Sequence, residues 1–194
     1  GVASGGAYTG SNVMILNELA SSVGIVGVAV SGDIDIDVVV SQGCRPIGRP
    51  LLVTKARQNM LLGLDGEKPM TVVQQMVETL SEEDRHLLQT GGLYVGRAVR
   101  QVVDAADALG RGDFLIRGVL GADSRTGALV IGDMPEAGEM LQFHVRDART
   151  AEEDLDMALA PQVFSDAPAG ALLFTCNGRG TRLYDHANGD VSIL

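Results

Sequence analysis

Tryptophan is absent from this chain, and with three tyrosines and four phenylalanines the aromatic content is only 4%. A core without large rings has to come mostly from Val, Leu, Ile and Ala. Basic residues are also scarce: 15 Lys and Arg stand against 25 Asp and Glu, for a net charge of −10. That balance argues against nucleic acid, whose phosphates want a basic face, and against anionic membrane surfaces. Long apolar runs are missing; the best candidate, residues 23–30, falls far short of the ~20 residues that a membrane helix needs. No secretory signal is visible, and the expected location is cytoplasmic. The two cysteines lie far apart without metal-type spacing, which fits reduced thiols better than a disulfide framework. His86, His144 and His186 are equally scattered, so a zinc site is not expected. No P-loop, dinucleotide fingerprint or kinase motif occurs, and no cofactor is expected.

Strand signals dominate the first third of the chain, helices come next, and strands return in the middle. Residues 25–30 form a short apolar run, and residues 33–38 alternate strictly, with Asp33, Asp35 and Asp37 on one face and Ile34, Ile36 and Val38 on the other. That alternation predicts a strand with a solvated acidic face, not a calcium loop, which would need a glycine turn and a distal glutamate. Further strands are predicted over 51–54, 60–64, 93–99, 114–120, 128–131, 140–145 and 171–175, with a turn at 122–127. Pro69 suits a first helical turn, Ser81 caps a second helix that Gly91-Gly92 stops, and Thr150-Ala151-Glu152-Glu153 reads as a capping box. Strands outnumber helices and connections are short. The expected fold is α+β, a mainly antiparallel β-sheet system covered by a few helices.

Both cysteines sit among glycine and arginine where an apolar run surfaces: Ser41-Gln42-Gly43-Cys44-Arg45-Pro46-Ile47-Gly48, and Phe174-Thr175-Cys176-Asn177-Gly178-Arg179-Gly180. Glycines let a ligand approach the backbone, and arginine forks suit carboxylates and small anions. The blander reading gives the glycines to turns and the arginines to structural ion pairs. In the strand Leu141-Gln142-Phe143-His144-Val145-Arg146, alternation puts Leu141, Phe143 and Val145 inward. His144 then shares a polar face with Gln142 and Arg146, facing either a ligand or solvent, and is not expected in the core.

These same residues carry a family resemblance. The run from Ser41 to Gly48, continued by Pro50-Leu51-Leu52-Val53-Thr54, resembles the junction between the two halves of the FIST sensory domain. The stretch from Gly170 to Gly180 resembles the signature of its C-terminal half, and Gly1-Val2-Ala3-Ser4-Gly5-Gly6 is similar to a turn late in its N-terminal half. On that resemblance, residues 1–45 are the tail of the N-terminal half and residues 46–194 most of the C-terminal half, so the chain reads as an internal fragment. The resemblance implies a ligand-binding module of signal transduction that senses small molecules such as amino acids, and partners that include signalling outputs or F-box segments. The alternatives are a protein-interaction module without a small ligand and a cysteine-dependent enzyme using Cys44 or Cys176. Catalysis is not expected. The residues expected at a ligand are Cys44, Arg45, Cys176, Asn177 and Arg179 on one concave surface, bordered by His144. Burial of Arg45 and Arg179 in separate carboxylate pairs is the arrangement that speaks against that single site.

Overall fold

A computed structural model describes residues 6–99, 109 and 112–194. Its centre is a closed barrel of six strands. These are β3 (Cys44–Arg57), β4 (Met60–Leu64), β5 (Tyr94–Ala98), β6 (Phe114–Asp123), β7 (Ala128–Ile131) and β8 (Met140–Arg146). Their order around the barrel is β3-β4-β7-β6-β5-β8, and every pairing is antiparallel. The expected antiparallel α+β architecture is therefore present. Closure leaves the barrel itself no free edge strand among the described residues, which removes the main aggregation hazard of that sheet.

The sequence shows why the barrel closes. β3 is long enough to pair with β8 through its first half and β4 through its second. Within the part paired to β8 the register shifts after Ile47, where Gly48 takes φ +63°. A Cβ there would meet the Met76 side chain at 3.1 Å, so the bend requires glycine. Inward-facing Ile47, Leu51, Val53, Leu61, Leu64, Val95, Leu129, Ile131, Leu141, Phe143 and Val145 form one buried cluster. Each large aliphatic side chain buried here contributes about 1.5–3 kcal/mol. Helices α1 (Pro69–Thr79) and α2 (Glu82–Gly91) add Met70, Val73, Met76, Val77, Leu87 and Leu88 to it.

The caps follow the sequence closely in two helices. Pro69 opens α1, and the Ser81 hydroxyl accepts the Asp84 amide at 3.1 Å at the start of α2. In the third helix, α3 (Ala148–Leu159), the start lies earlier than the capping-box reading places it. Asp147 holds the N-cap position, and the buried Thr150 hydroxyl donates back to its carboxylate at 2.6 Å.

Three expected strands are absent. Residues 25–30, 33–38 and 171–175 carry no strand, and nearly all of their side chains are exposed. Alternation creates only a capacity for strand structure; pairing needs a partner edge, and the closed barrel offers none. The paired residues in this part of the chain form instead a small hairpin of β1 (Met14–Leu16) and β2 (Leu19–Ser21) around Asn17, whose φ is +54°. The Gly-rich turn at residues 1–6 lies, up to residue 5, outside the described residues.

Candidate functional site

The start of β3 and the end of β8 run side by side, with Cys44 opposite Arg146, Arg45 opposite Val145 and Pro46 opposite His144. Strand alternation then sends Cys44, His144 and Arg146 to the outer face of the barrel and Arg45 to the other. Helix α3 and residues 40–42 lie over that outer face. Between them is a cleft of about 280 Å³ lined by Ser41, Gln42, Cys44, Phe114, His144 and Asp154, with Met157 and Ala158 on its helical wall.

His144 is 2% exposed, which corrects the expectation that it lies outside the protein interior. An outward residue on a barrel strand is buried when a second layer covers it, and here Phe114 meets the imidazole edge-on at 5.0 Å. Its Nδ1 lies 3.0 Å from the Gln142 carbonyl oxygen. A carbonyl only accepts, so Nδ1 carries the proton and Nε2 remains an acceptor. Burial lowers the His144 pKa from 6.5, against the opposing pull of that hydrogen bond, and the ring is neutral at pH 7. Gly96 makes room for it: a Cβ at that position would come within 2.5 Å of the ring carbon Cε1.

Gln42 fixes the cleft's other side. Its amide nitrogen donates to the Phe114 carbonyl, and its oxygen accepts the Ile116 amide at 2.9 Å. The side-chain amide thus stands in for a neighbouring strand along the start of β6. Beside it the Ser41 hydroxyl is buried without a hydrogen-bond partner among the described residues.

Arg146 joins this cleft to the second cysteine segment. Its guanidinium lies over the Tyr94 ring at 4.7 Å, and Nη2 is 3.8 Å from the Cys176 sulfur. Gly178 packs so closely on the guanidinium that a Cβ there would push it aside. The Cys44 thiol is held above its ordinary range by burial, while Arg146 and Arg179 oppose the shift. Cys44 is buried and Cys176 exposed. Asn177 is exposed beside Cys176.

The two arginines singled out from the sequence are spent elsewhere. Arg179 forms a salt bridge with Asp190, with side chains 9% and 8% exposed, and Tyr184 donates to the same carboxylate at 2.6 Å. Arg45 pairs with Asp84 of α2 at 2.7 Å and approaches Asp147 at 3.6 Å. Both guanidiniums are thus paired with carboxylates of the chain itself, the arrangement that speaks against a shared anion clamp. Adjacent strand residues cannot share a face, which is why Arg45 parts from Cys44. The cysteine segments themselves do meet, with the Arg179 guanidinium packed against Gly43. The sequence reading did not mark Ser41, Gln42, Phe114, Asp154 and Met157 as site residues, and of these Ser41 and Gln42 alone lie inside a motif that it singled out.

Comparison with known proteins matches residues 1–67 to the FIST N domain and residues 69–194 to the FIST C domain. Strands β3 and β4 fall in the first match and β5 to β8 in the second, so the barrel draws on both. An uncharacterised protein of Mycobacterium tuberculosis strain H37Rv is 40% identical over 196 residues, covering 100% of this chain and 50% of its own length. One from Mycobacterium bovis is 41% identical with the same coverage. The chain spans about half the length of the curated relatives it matches. No solved structure gives a significant match.

Proposed function

This chain belongs to the FIST family, non-catalytic sensory modules of signal transduction, and from that premise we propose that it binds a small, amino-acid-like ligand in the cleft between α3 and the barrel wall. The observation that carries this reading is the cleft itself, where polar groups converge on a largely apolar lining. At about 280 Å³ it lies just below the roughly 300–1,000 Å³ of typical ligand pockets, a size for a metabolite and not a nucleotide. Asp154 suits an ammonium group, and the neutral His144 ring supplies a further acceptor. The Ser41 hydroxyl is a buried donor that a carboxylate can satisfy, and Arg146 adds positive charge at the Cys44 corner. Phe114, Ile116 and Met157 enclose the aliphatic part. Calorimetric titration with a panel of amino acids tests this reading. Saturable one-to-one binding by the native chain, lost when Ala158→Trp fills the cleft, supports it; absence of heat with every member of the panel refutes it.

A second reading, a module that recognises another protein, draws on a separate observation. Ile25, Val28, Ile36, Val38, Phe164, Leu172 and Phe174 are all largely exposed, Ile25 at 99% and Phe164 at 92%. Exposed β-capable segments of this kind suit a partner that adds a strand. A signalling output domain or an F-box protein is then the partner class. Protection of residues 25–38 from hydrogen exchange on mixing with a partner, with the cleft unaffected, favours it over ligand sensing.

A further inference from the structure

We infer that Cys44 and Cys176 are a redox pair, which closes to an intramolecular disulfide under peroxide and reopens under a dithiol reductant. In sequence the two cysteines stand far apart, and spacing alone favours isolated thiols. The fold brings them to one cation. Cys44 is the cross-strand partner of Arg146, which places their Cβ atoms about 4.5–5.5 Å apart on one face of the ladder. The same guanidinium reaches Cys176 with Nη2 at 3.8 Å from its sulfur. Gly43, next to Cys44, packs on Arg179, three residues from Cys176.

The two thiols differ in the way that a sensing pair requires. Cys176 is exposed and so meets a dissolved oxidant first, whereas Cys44 is buried at the start of β3. Cys176 lies in a loop, residues 166–179 having neither helix nor strand, and the bonds of Thr175 and Arg179 to Asp190 hold that loop on either side of it, so closure needs a movement of the Cys176 turn alone. At Cys44, Arg146 opposes the burial that raises the thiol.

The chemistry balances with hydrogen peroxide as the oxidant. The Cys176 thiolate attacks one peroxide oxygen, the O–O bond breaks, and water leaves once the second oxygen is protonated. Cys176 is then a sulfenic acid. The Cys44 sulfur attacks that sulfur, the S–O bond breaks, and hydroxide departs as water with the Cys44 proton. One peroxide becomes two waters, and the two thiols lose two electrons and two protons. Because Cys44 lines the cleft, the disulfide removes one of its polar groups. The pair forms whether or not the cleft holds a ligand.

Mass spectrometry of the 194-residue chain treated with a small excess of hydrogen peroxide tests the inference. The expected result is a monomer lighter by two hydrogens, with both thiols closed to maleimide after denaturation. A non-reducing digest then yields a peptide linking Cys44 to Cys176, and dithiothreitol restores both thiols. In Cys44→Ser the sulfenic acid persists at Cys176 and is trapped by dimedone; in Cys176→Ser, Cys44 stays reduced at the same dose. A native chain that gathers sulfenic or sulfinic acid at Cys176 while Cys44 remains free overturns the pair. So does a disulfide found only between two chains.

Discussion

Replacing Asp190 by alanine removes the acceptor on which the C-terminal segment converges. Its carboxylate takes Arg179 through Nε at 2.9 Å and through Nη2, accepts the Tyr184 hydroxyl at 2.6 Å and accepts the Thr175 hydroxyl at 3.2 Å. With the side chains of Arg179 and Asp190 both under a tenth exposed, alanine leaves a buried guanidinium without its counter-ion. Breaking such a pair from one side costs about 3–5 kcal/mol. At a urea dependence of about 2 kcal/mol per molar, the midpoint falls by about 1.5–2.5 M. Urea unfolding followed by circular dichroism reads the barrel, and hydrogen exchange at residues 175–190 reads the segment itself, which can open before the barrel does. The double variant Arg179→Met with Asp190→Leu removes both charges and recovers most of the loss. A midpoint shift below about 0.5 M together with unchanged exchange at 175–190 refutes a structural role for the pair.

Gly96→Ala forces a methyl group against His144 and Phe114 and destabilises by about 1–3 kcal/mol, read as a lower urea midpoint. Leu61→Ala empties a fully buried barrel position and costs about 2–5 kcal/mol in the same assay. On acidification, Asp190, whose pKa its bonds with Arg179 hold below 3.8, contributes stability that is present above the unfolded value and lost as pH falls through the folded one. Asp190→Asn therefore flattens the acid limb of a stability profile. Tyr184, pushed up from 10.0 to about 12 by burial and by the adjacent Asp190, works in the opposite sense. Its proton is kept in the folded state, so stability declines between about pH 10 and pH 12, and one of the three tyrosines ionises late in an absorbance titration.

The barrel was largely legible in the sequence because its signals are local. Ala128 to Ile131 and Met140 to Val145 carry their inward residues at strand spacing, and Pro69 and Ser81 announce their helices. Residues 33–38 carry an equally clear alternation and form no strand, since pairing depends on an edge elsewhere in space. The candidate site was legible only in part. Alternation grouped His144 with Arg146, yet one strand says nothing of the layer that covers it, so the burial of His144 under Phe114 and α3 could not be read. The carboxylates that occupy Arg45 and Arg179 come from Asp84, Asp147 and Asp190, and nothing in the sequence singles these out from the other acidic residues.

Methyl-resolved NMR of methionine-labelled protein tests the cleft most directly. Met157 lies on its helical wall, Met76 lines a separate cavity of about 340 Å³ beside Gly48 and Leu51, and Met134 is exposed away from both. Titration with an amino-acid mixture is expected to move the Met157 methyl resonance saturably and to leave Met76 and Met134 in place. Saturable movement of Met76 without Met157, or no movement at any methionine, contradicts the assignment of the cleft as the ligand site.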